Sequence, residues 1–261
     1  MTVIAITADK GIPKSQLEKL AIQTSLPLLN KKIQADYLLH ISSEHLELRK
    51  ITNSQKKTKI EAIHVDFLSG KNNHRRLHGG GKGQDLAKAI GLNKLSNPSV
   101  LDLTAGMGGD AFVLATLGAK VTLIERNPVI HALLFDAFER ATLSADAELL
   151  AIFSRMRLKH EDALETLQNL DDKPDVIYID PMFPARTKSA QVKKEMQFFH
   201  KIVGADVDSE SLLLKALDVA EKRIVVKRPR LANKLTEHVQ PAFQISGKST
   251  RYDVYLGSAH S

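Results

Sequence analysis

From Pro98 onward the chain alternates short apolar runs with amphipathic stretches, and no other feature restricts its fold as much. Runs near Ser99 to Thr104, Val121 to Glu125, Met156 to His160, Asp175 to Asp180 and Arg223 to Lys227 read as strands, with helical spacing between most of them. Strands joined by helices return parallel to one another, so the pattern predicts a parallel sheet covered on both faces. Ala242 to Ser246 and Arg251 to Leu256 follow at close spacing and are expected to form an antiparallel hairpin closing one edge.

Residues 1–70 carry a different pattern. Strand-like runs at Val3 to Thr7, Tyr37 to Ser42, Leu46 to Ile51 and Ile60 to Phe67 surround one helical stretch, Lys14 to Thr24, which predicts a small α+β N-terminal domain. Residues 71–97 read as a glycine-rich basic connector entering a helix, and residues 98–261 as the larger domain. With 261 residues, 43% of them hydrophobic, the chain can build a core without covalent staples. It has no cysteine, which excludes disulfides, thiolate nucleophiles and cysteine-ligated zinc. The start does not look like a leader, and no apolar stretch approaches the ~20 residues needed to span a bilayer. The expectation is a cytoplasmic protein with no membrane partner.

The first strand of the larger domain runs into a glycine-rich turn, Asp102-Leu103-Thr104-Ala105-Gly106-Met107-Gly108-Gly109-Asp110-Ala111. Gly106, Gly108 and Ala111 fit the spacing of a dinucleotide-binding turn, and Glu125 ends the next strand, where an acid holds ribose hydroxyls. The acids argue against a dinucleotide. Asp102 at the strand end and Asp110 at the helix start would repel a pyrophosphate docking there, whereas they attract the ammonium and sulfonium of S-adenosyl-L-methionine. A helix-capping role for the Asp residues leaves Asp102 and Glu125 unexplained. After the third strand, in His160-Glu161-Asp162-Ala163, Asp162 either accepts from an adenine amino group or caps the following helix.

The fourth strand ends in Asp180-Pro181-Met182-Phe183-Pro184. An exocyclic amine on a base is a poor nucleophile because its lone pair is conjugated with the ring. Asp180 and the Pro181 carbonyl can accept from its N–H groups, Phe183 can hold the ring flat, and the prolines keep the turn aimed. The charge balance, 37 basic against 30 acidic residues, leans toward a polyanionic partner. Basic runs occur at Lys71 to Lys88, after the acceptor motif, and at Lys222 to Lys234, which includes Lys222, Arg223 and Lys227. Candidate phosphate contacts are Arg75, Arg76, Lys82, Arg186, Lys188, Lys193, Lys194, Arg228 and Arg230. No metal is expected: the only i, i+4 histidine pair, His74 and His78, borders the glycine run Gly79 to Gly83, which also lacks P-loop spacing.

These residues resemble the bacterial ribosomal RNA small subunit methyltransferase J family. The likeness is carried by Leu103 to Phe112, Glu125-Arg126-Asn127-Pro128, Asp180 through Met196, Val203-Gly204-Ala205-Asp206 and Val225-Val226-Lys227-Arg228-Pro229, and upstream by Val65-Asp66-Phe67 and His74-Arg75-Arg76. The resemblance implies an α/β fold, a Rossmann-like class I methyltransferase sheet, and transfer from S-adenosyl-L-methionine to the N2 amine of a guanosine in 16S rRNA. It implies cofactor contacts at Gly109, Asp110, Glu125, Arg126, Glu161, Asp162 and Asp180. This chain carries Gly109 where the family usually has Arg, which leaves a backbone contact there. Adenine N6 or a protein glutamine as acceptor, a nicotinamide-dependent oxidoreductase, and an RNA-binding protein without activity are the other readings the residues admit.

Overall fold

The computed structural model describes residues 2–51, 61–69, 81–182, 202 and 208–258. The N-terminal strands β1 (Ile4–Ala8), β2 (Tyr37–Ile41), β3 (Leu46–Lys50) and β4 (Ala62–Ile63) form one sheet in that order, with helix α1 (Lys14–Thr24) following β1. β1 and β2 are parallel and the rest antiparallel.

The second sheet has seven strands: β5 (Ser99–Asp102), β6 (Lys120–Ile124), β7 (Met156–Lys159), β8 (Val176–Ile179), β9 (Arg223–Pro229), β10 (Phe243–Ser246) and β11 (Thr250–Leu256). Their spatial order is β10-β11-β9-β8-β5-β6-β7, and the five strands from β9 to β7 are mutually parallel. The expected edge hairpin is present, but its second strand, β11, joins the sheet. β11 is antiparallel to both neighbours, with Val254 opposite Val225 and Phe243. Its residues Tyr252 to Tyr255 are buried, whereas β10 is largely exposed, which is why β11 takes the inner place.

Helices α2 (Asp85–Ile90), α3 (Gly109–Thr116), α4 (Pro128–Thr142), α5 (Ala147–Phe153), α6 (Ala163–Gln168) and α7 (Ser209–Val219) complete the described chain. Side-chain caps start three of them, α4, α5 and α6. Asn127 caps α4 by accepting from Val129 N and Ile130 N at 3.0 and 3.2 Å, with Pro128 in the first turn, where its missing N–H costs nothing. None of the described helices is long and apolar enough to cross a membrane.

Two apolar clusters sandwich the large sheet. One of them includes the N-terminal sheet: Leu39, Leu48 and Leu20 share it with Phe112, Leu133 and Phe153. The run Ile60 to Phe67, expected as one strand, pairs only at Ala62–Ile63. Beyond it Phe67 is inserted among Phe112, Phe153 and Phe138, at ring-centroid distances of 4.9, 5.3 and 6.2 Å. Burying a phenyl ring in an aromatic cluster is worth more than a further strand pair at a sheet edge.

Candidate active site

At the carboxyl edge of the large sheet, the chain leaving β5 makes a tight turn before α3. Gly106 and Gly108 adopt left-handed φ values of 52° and 69°. At Gly108 a Cβ would stand 3.0 Å from Leu134 Cδ1 and 3.2 Å from Phe67 Cζ, so the position needs glycine for both conformation and space. Gly109 opens α3. Glu125, just past β6, ties the turn down: Oε2 accepts from Gly106 N at 3.0 Å and Oε1 from Asn127 N at 2.8 Å.

Asp102 departs from expectation. It is 2% exposed, beneath the turn, where its Oδ1 accepts from Thr104 N at 3.0 Å. Burial, with Asp110 and Asp180 nearby, pushes its pKa up to about 8 against the opposing pull of the Thr104 N–H and Lys227. Below that value Asp102 is neutral. It supports the turn through the Thr104 N–H.

The acceptor motif adjoins this turn. Leu103 N donates to Tyr178 O at 3.0 Å, and Asp180 N donates to the Thr104 hydroxyl at 2.7 Å, so the ends of β5 and β8 are stitched together. Pro181 is buried, and the side chain of Asp180 before it is 35% exposed. Lys227 Nζ, from the adjacent β9, donates to Asp180 Oδ2 and Asp110 Oδ2, both at 2.7 Å. Tyr178, 1% exposed, donates its hydroxyl to the same Asp110 oxygen at 2.8 Å. Burial alone would lower the Lys227 pKa, but Asp180 and Asp110 outweigh it and hold it above the usual lysine value. Burial raises the Tyr178 pKa well above its ordinary value, with Asp110 and Asp180 adding to the effect.

Lys227 and Tyr178 belong to the site although neither stands out as a site residue in the sequence. The available signal was a lysine directly after the apolar run Ile224-Val225-Val226 on a central strand. Such a residue cannot remain charged there without partners. The same logic corrects the reading of Lys222 to Lys234 as a phosphate-facing run. Lys222 pairs with Asp175 at 2.5 Å, and Arg223 donates to Ala89 O at 3.0 Å. Arg228, offered as a phosphate contact, is 7% exposed and donates from Nε and Nη2 to Asn233 O at 3.1 and 2.7 Å. Arg223 and Arg228 lie on a strand between two others and are held by carbonyls inside the fold, whereas Lys222, just before that strand, is held by Asp175 at the surface. Arg230 and Lys82 are exposed. Phe183, Arg75, Arg76, Arg186, Lys188, Lys193 and Lys194 lie outside the described residues.

At the ends of β6 and β7, Arg126 pairs with Asp208 at 2.6 Å and lies 3.9 Å from Asp162 Oδ2. Asp162 caps α6, its Oδ1 accepting from Leu164 N and Glu165 N at 2.9 and 3.2 Å. Glu161 accepts from the Thr166 hydroxyl at 3.0 Å and pairs with Lys159 at 3.2 Å. The described residues also contain one His/Glu group with metal-like spacing, His45, Glu47 and His64, on and beside the small sheet. There Glu47 is already held by Arg49 at 2.5 Å.

The groups at the sheet edge suit a cation-bearing nucleoside: a glycine turn with two left-handed residues and no room for a side chain at Gly108, the acids Glu125 and Asp180 just past two strand ends, and Asp110 and Asp180 sharing one lysine. Together the strand order and this site define a class I S-adenosylmethionine-dependent methyltransferase. The comparisons agree. The family model described as "Putative SAM-dependent methyltransferase" matches residues 21–257. A crystal structure of a SAM-dependent methyltransferase from Neisseria gonorrhoeae superposes with a TM-score of 0.74 at 33% identity, covering 97% of this chain and 96% of that one. Ribosomal RNA small subunit methyltransferase J of Aeromonas hydrophila is 49% identical over 248 residues, 94% of each chain. That of Tolumonas auensis is 48% identical over 257 residues, 98% of this chain and 99% of its own. The chain belongs to the ribosomal RNA small subunit methyltransferase J family.

Proposed function

We propose that the chain methylates the N2 amine of a guanosine in 16S rRNA, in the cytoplasm, on naked rRNA or on the small ribosomal subunit. The observation that carries this reading is the join between Asp180 and the glycine turn, through Thr104 and Lys227, in a chain whose relatives are named ribosomal RNA small subunit methyltransferase J. The bound cofactor supplies an electrophilic methyl group on sulfonium. The chain's own part is positioning. Asp180 and the Pro181 carbonyl accept from the two N–H bonds of the amine, which turns the nitrogen lone pair toward the methyl group. Lys227 fixes the Asp180 carboxylate. Gly106, Gly108, Gly109, Asp110, Glu125, Arg126, Glu161 and Asp162 form the cofactor side, with Asp102 as their buried support. Phe183 is the proposed stacking face, and Arg75, Arg76, Lys82, Arg186, Lys188, Lys193, Lys194 and Arg230 the phosphate contacts.

The test is to map methylated nucleosides in 16S rRNA from cells with and without the gene, then restore the modification in vitro on small subunits and on naked rRNA. One N2-methylguanosine should vanish and return with wild-type protein but not with Asp180→Ala. Loss of an N6-methyladenosine or of a protein glutamine modification in its place would overturn the acceptor.

A further inference from the structure

Beside the cofactor side of the site, a cleft of about 450 Å³ opens between α1 and α4. Its floor includes His160, just past β7, and His131 on α4. The two imidazoles stack at 4.7 Å and 23°, and Phe135, one turn further along α4, continues the stack at 6.1 Å and 23°. Phe135 is 37% exposed. The stack ends in a partly exposed phenyl ring, Phe135, that belongs to neither apolar cluster.

The opposite wall is the N-terminal sheet's helix, whose Gln16, Lys19 and Gln23 repeat at helical spacing and line the cleft together. The glutamine amides offer both donors and acceptors to a ring entering the cleft. On the α4 side Glu139 faces the same space, which disfavours a phosphate inside it and favours a group bearing exocyclic amines. Burial, then the neighbouring His160, holds the His131 pKa down at about 4, so that ring remains uncharged near neutrality. The cleft shares no residue with the glycine turn, Glu125 or Asp180, yet is linked to their edge of the sheet by His160 Nε2, 3.2 Å from Arg126 O.

We propose that this cleft is a second nucleobase subsite, in which an unpaired base of the RNA substrate, near the target nucleotide, stacks on Phe135 and reads the amides of α1. The inference rests on RNA being the substrate. It gives the N-terminal sheet a share in substrate recognition, because single-stranded bases are recognised by stacking on aromatic rings and by hydrogen bonds along their edges.

Two measurements test it. In the first, the full-length protein is saturated with S-adenosylhomocysteine, which blocks the cofactor's own adenine site, and titrated with AMP, GMP, CMP and UMP while the imidazole C–H resonances of His131 and His160 are followed. At least one nucleotide should shift both, and Phe135→Ala should weaken that binding. In the second, Phe135→Ala should raise the KM for small subunits or rRNA at least about fivefold, with kcat and S-adenosylhomocysteine affinity unchanged. Imidazole resonances indifferent to all four nucleotides, or an unaltered KM, would overturn the subsite. If wild-type protein methylates no rRNA, the proposed function fails instead, and the titration still reports on the cleft.

Discussion

Asp110 and Asp180 share one cation: Lys227 Nζ stands 2.7 Å from a carboxylate oxygen of each. The first acid lies at the start of the helix after the glycine turn and the second follows β8, so one ammonium ties the proposed cofactor turn to the proposed acceptor motif. Replacing it by an apolar side chain leaves two carboxylates facing each other in a partly covered site. Lys227→Met should lower stability by about 1–3 kcal/mol and turnover by at least about tenfold. Thermal unfolding and single-turnover rates that match wild type would remove Lys227 from this role.

Asp102 predicts a pH dependence. Its carboxyl ionises near 3.8 in the unfolded chain and at about 8 in the fold. Between those values the unfolded chain has lost the proton and the folded chain keeps it. Stability therefore falls as pH rises through that window and levels off above about 8. Asp102→Asn stays neutral throughout. Denaturant titrations from pH 5 to 9 should show wild type losing on the order of a few kcal/mol relative to the variant. Parallel curves would mean that Asp102 is ionised in the fold.

Glu125 accepts from Gly106 N and Asn127 N, so its loss frees the glycine turn as well as any ribose contact. Glu125→Ala should weaken S-adenosylhomocysteine binding at least about tenfold, equivalent to ~1.4 kcal/mol. Calorimetry giving the wild-type affinity would place the ligand elsewhere.

Gly108→Ala strains a φ of 69° and drives a methyl group to 3.0 Å from Leu134 Cδ1. The variant should lose about 1–3 kcal/mol of stability and bind S-adenosylhomocysteine more weakly. An unchanged melting temperature would show that the turn relaxes freely.

The proposed RNA surface is tested by salt. Replacing Lys188, Lys193 and Lys194 together by Ala should lower the slope of log affinity against log salt and raise the KM for rRNA, while cofactor affinity stays put. A slope equal to wild type would make these lysines solubilising residues only.

The strands of the large sheet were legible because each buried run is bounded by turn residues, and so was the place of Glu125 and Asp180 just past two strand ends. Lys227 and Arg228 were misread for a physical reason. Both sit in a basic run, and a list of charges cannot tell a solvated face from a central strand whose cations are neutralised by carboxylates or carbonyls distant in sequence. Asp162 was undecidable for another: its oxygens serve equally as a helix cap or a ligand acceptor, and it is the contacts to Leu164 N and Glu165 N at 2.9 and 3.2 Å that show the cap. Phe67 looked like a strand residue because apolar alternation does not reveal which of two cores will receive a ring.

That ring has a consequence for how the chain can be divided. A fragment beginning at Gly81 would contain Asp110, Glu125, Asp180 and Lys227, yet would lack the phenyl group that fills the space beside Phe112 and Phe153 and bears on Gly108. Its catalytic sheet would carry a socket of one aromatic side chain directly under the turn, a defect costing several kcal/mol on the order of a buried Phe→Ala replacement. The small sheet is thus not a detachable cassette. Grafting another recognition module in its place would succeed only if the newcomer delivered a ring to the same socket.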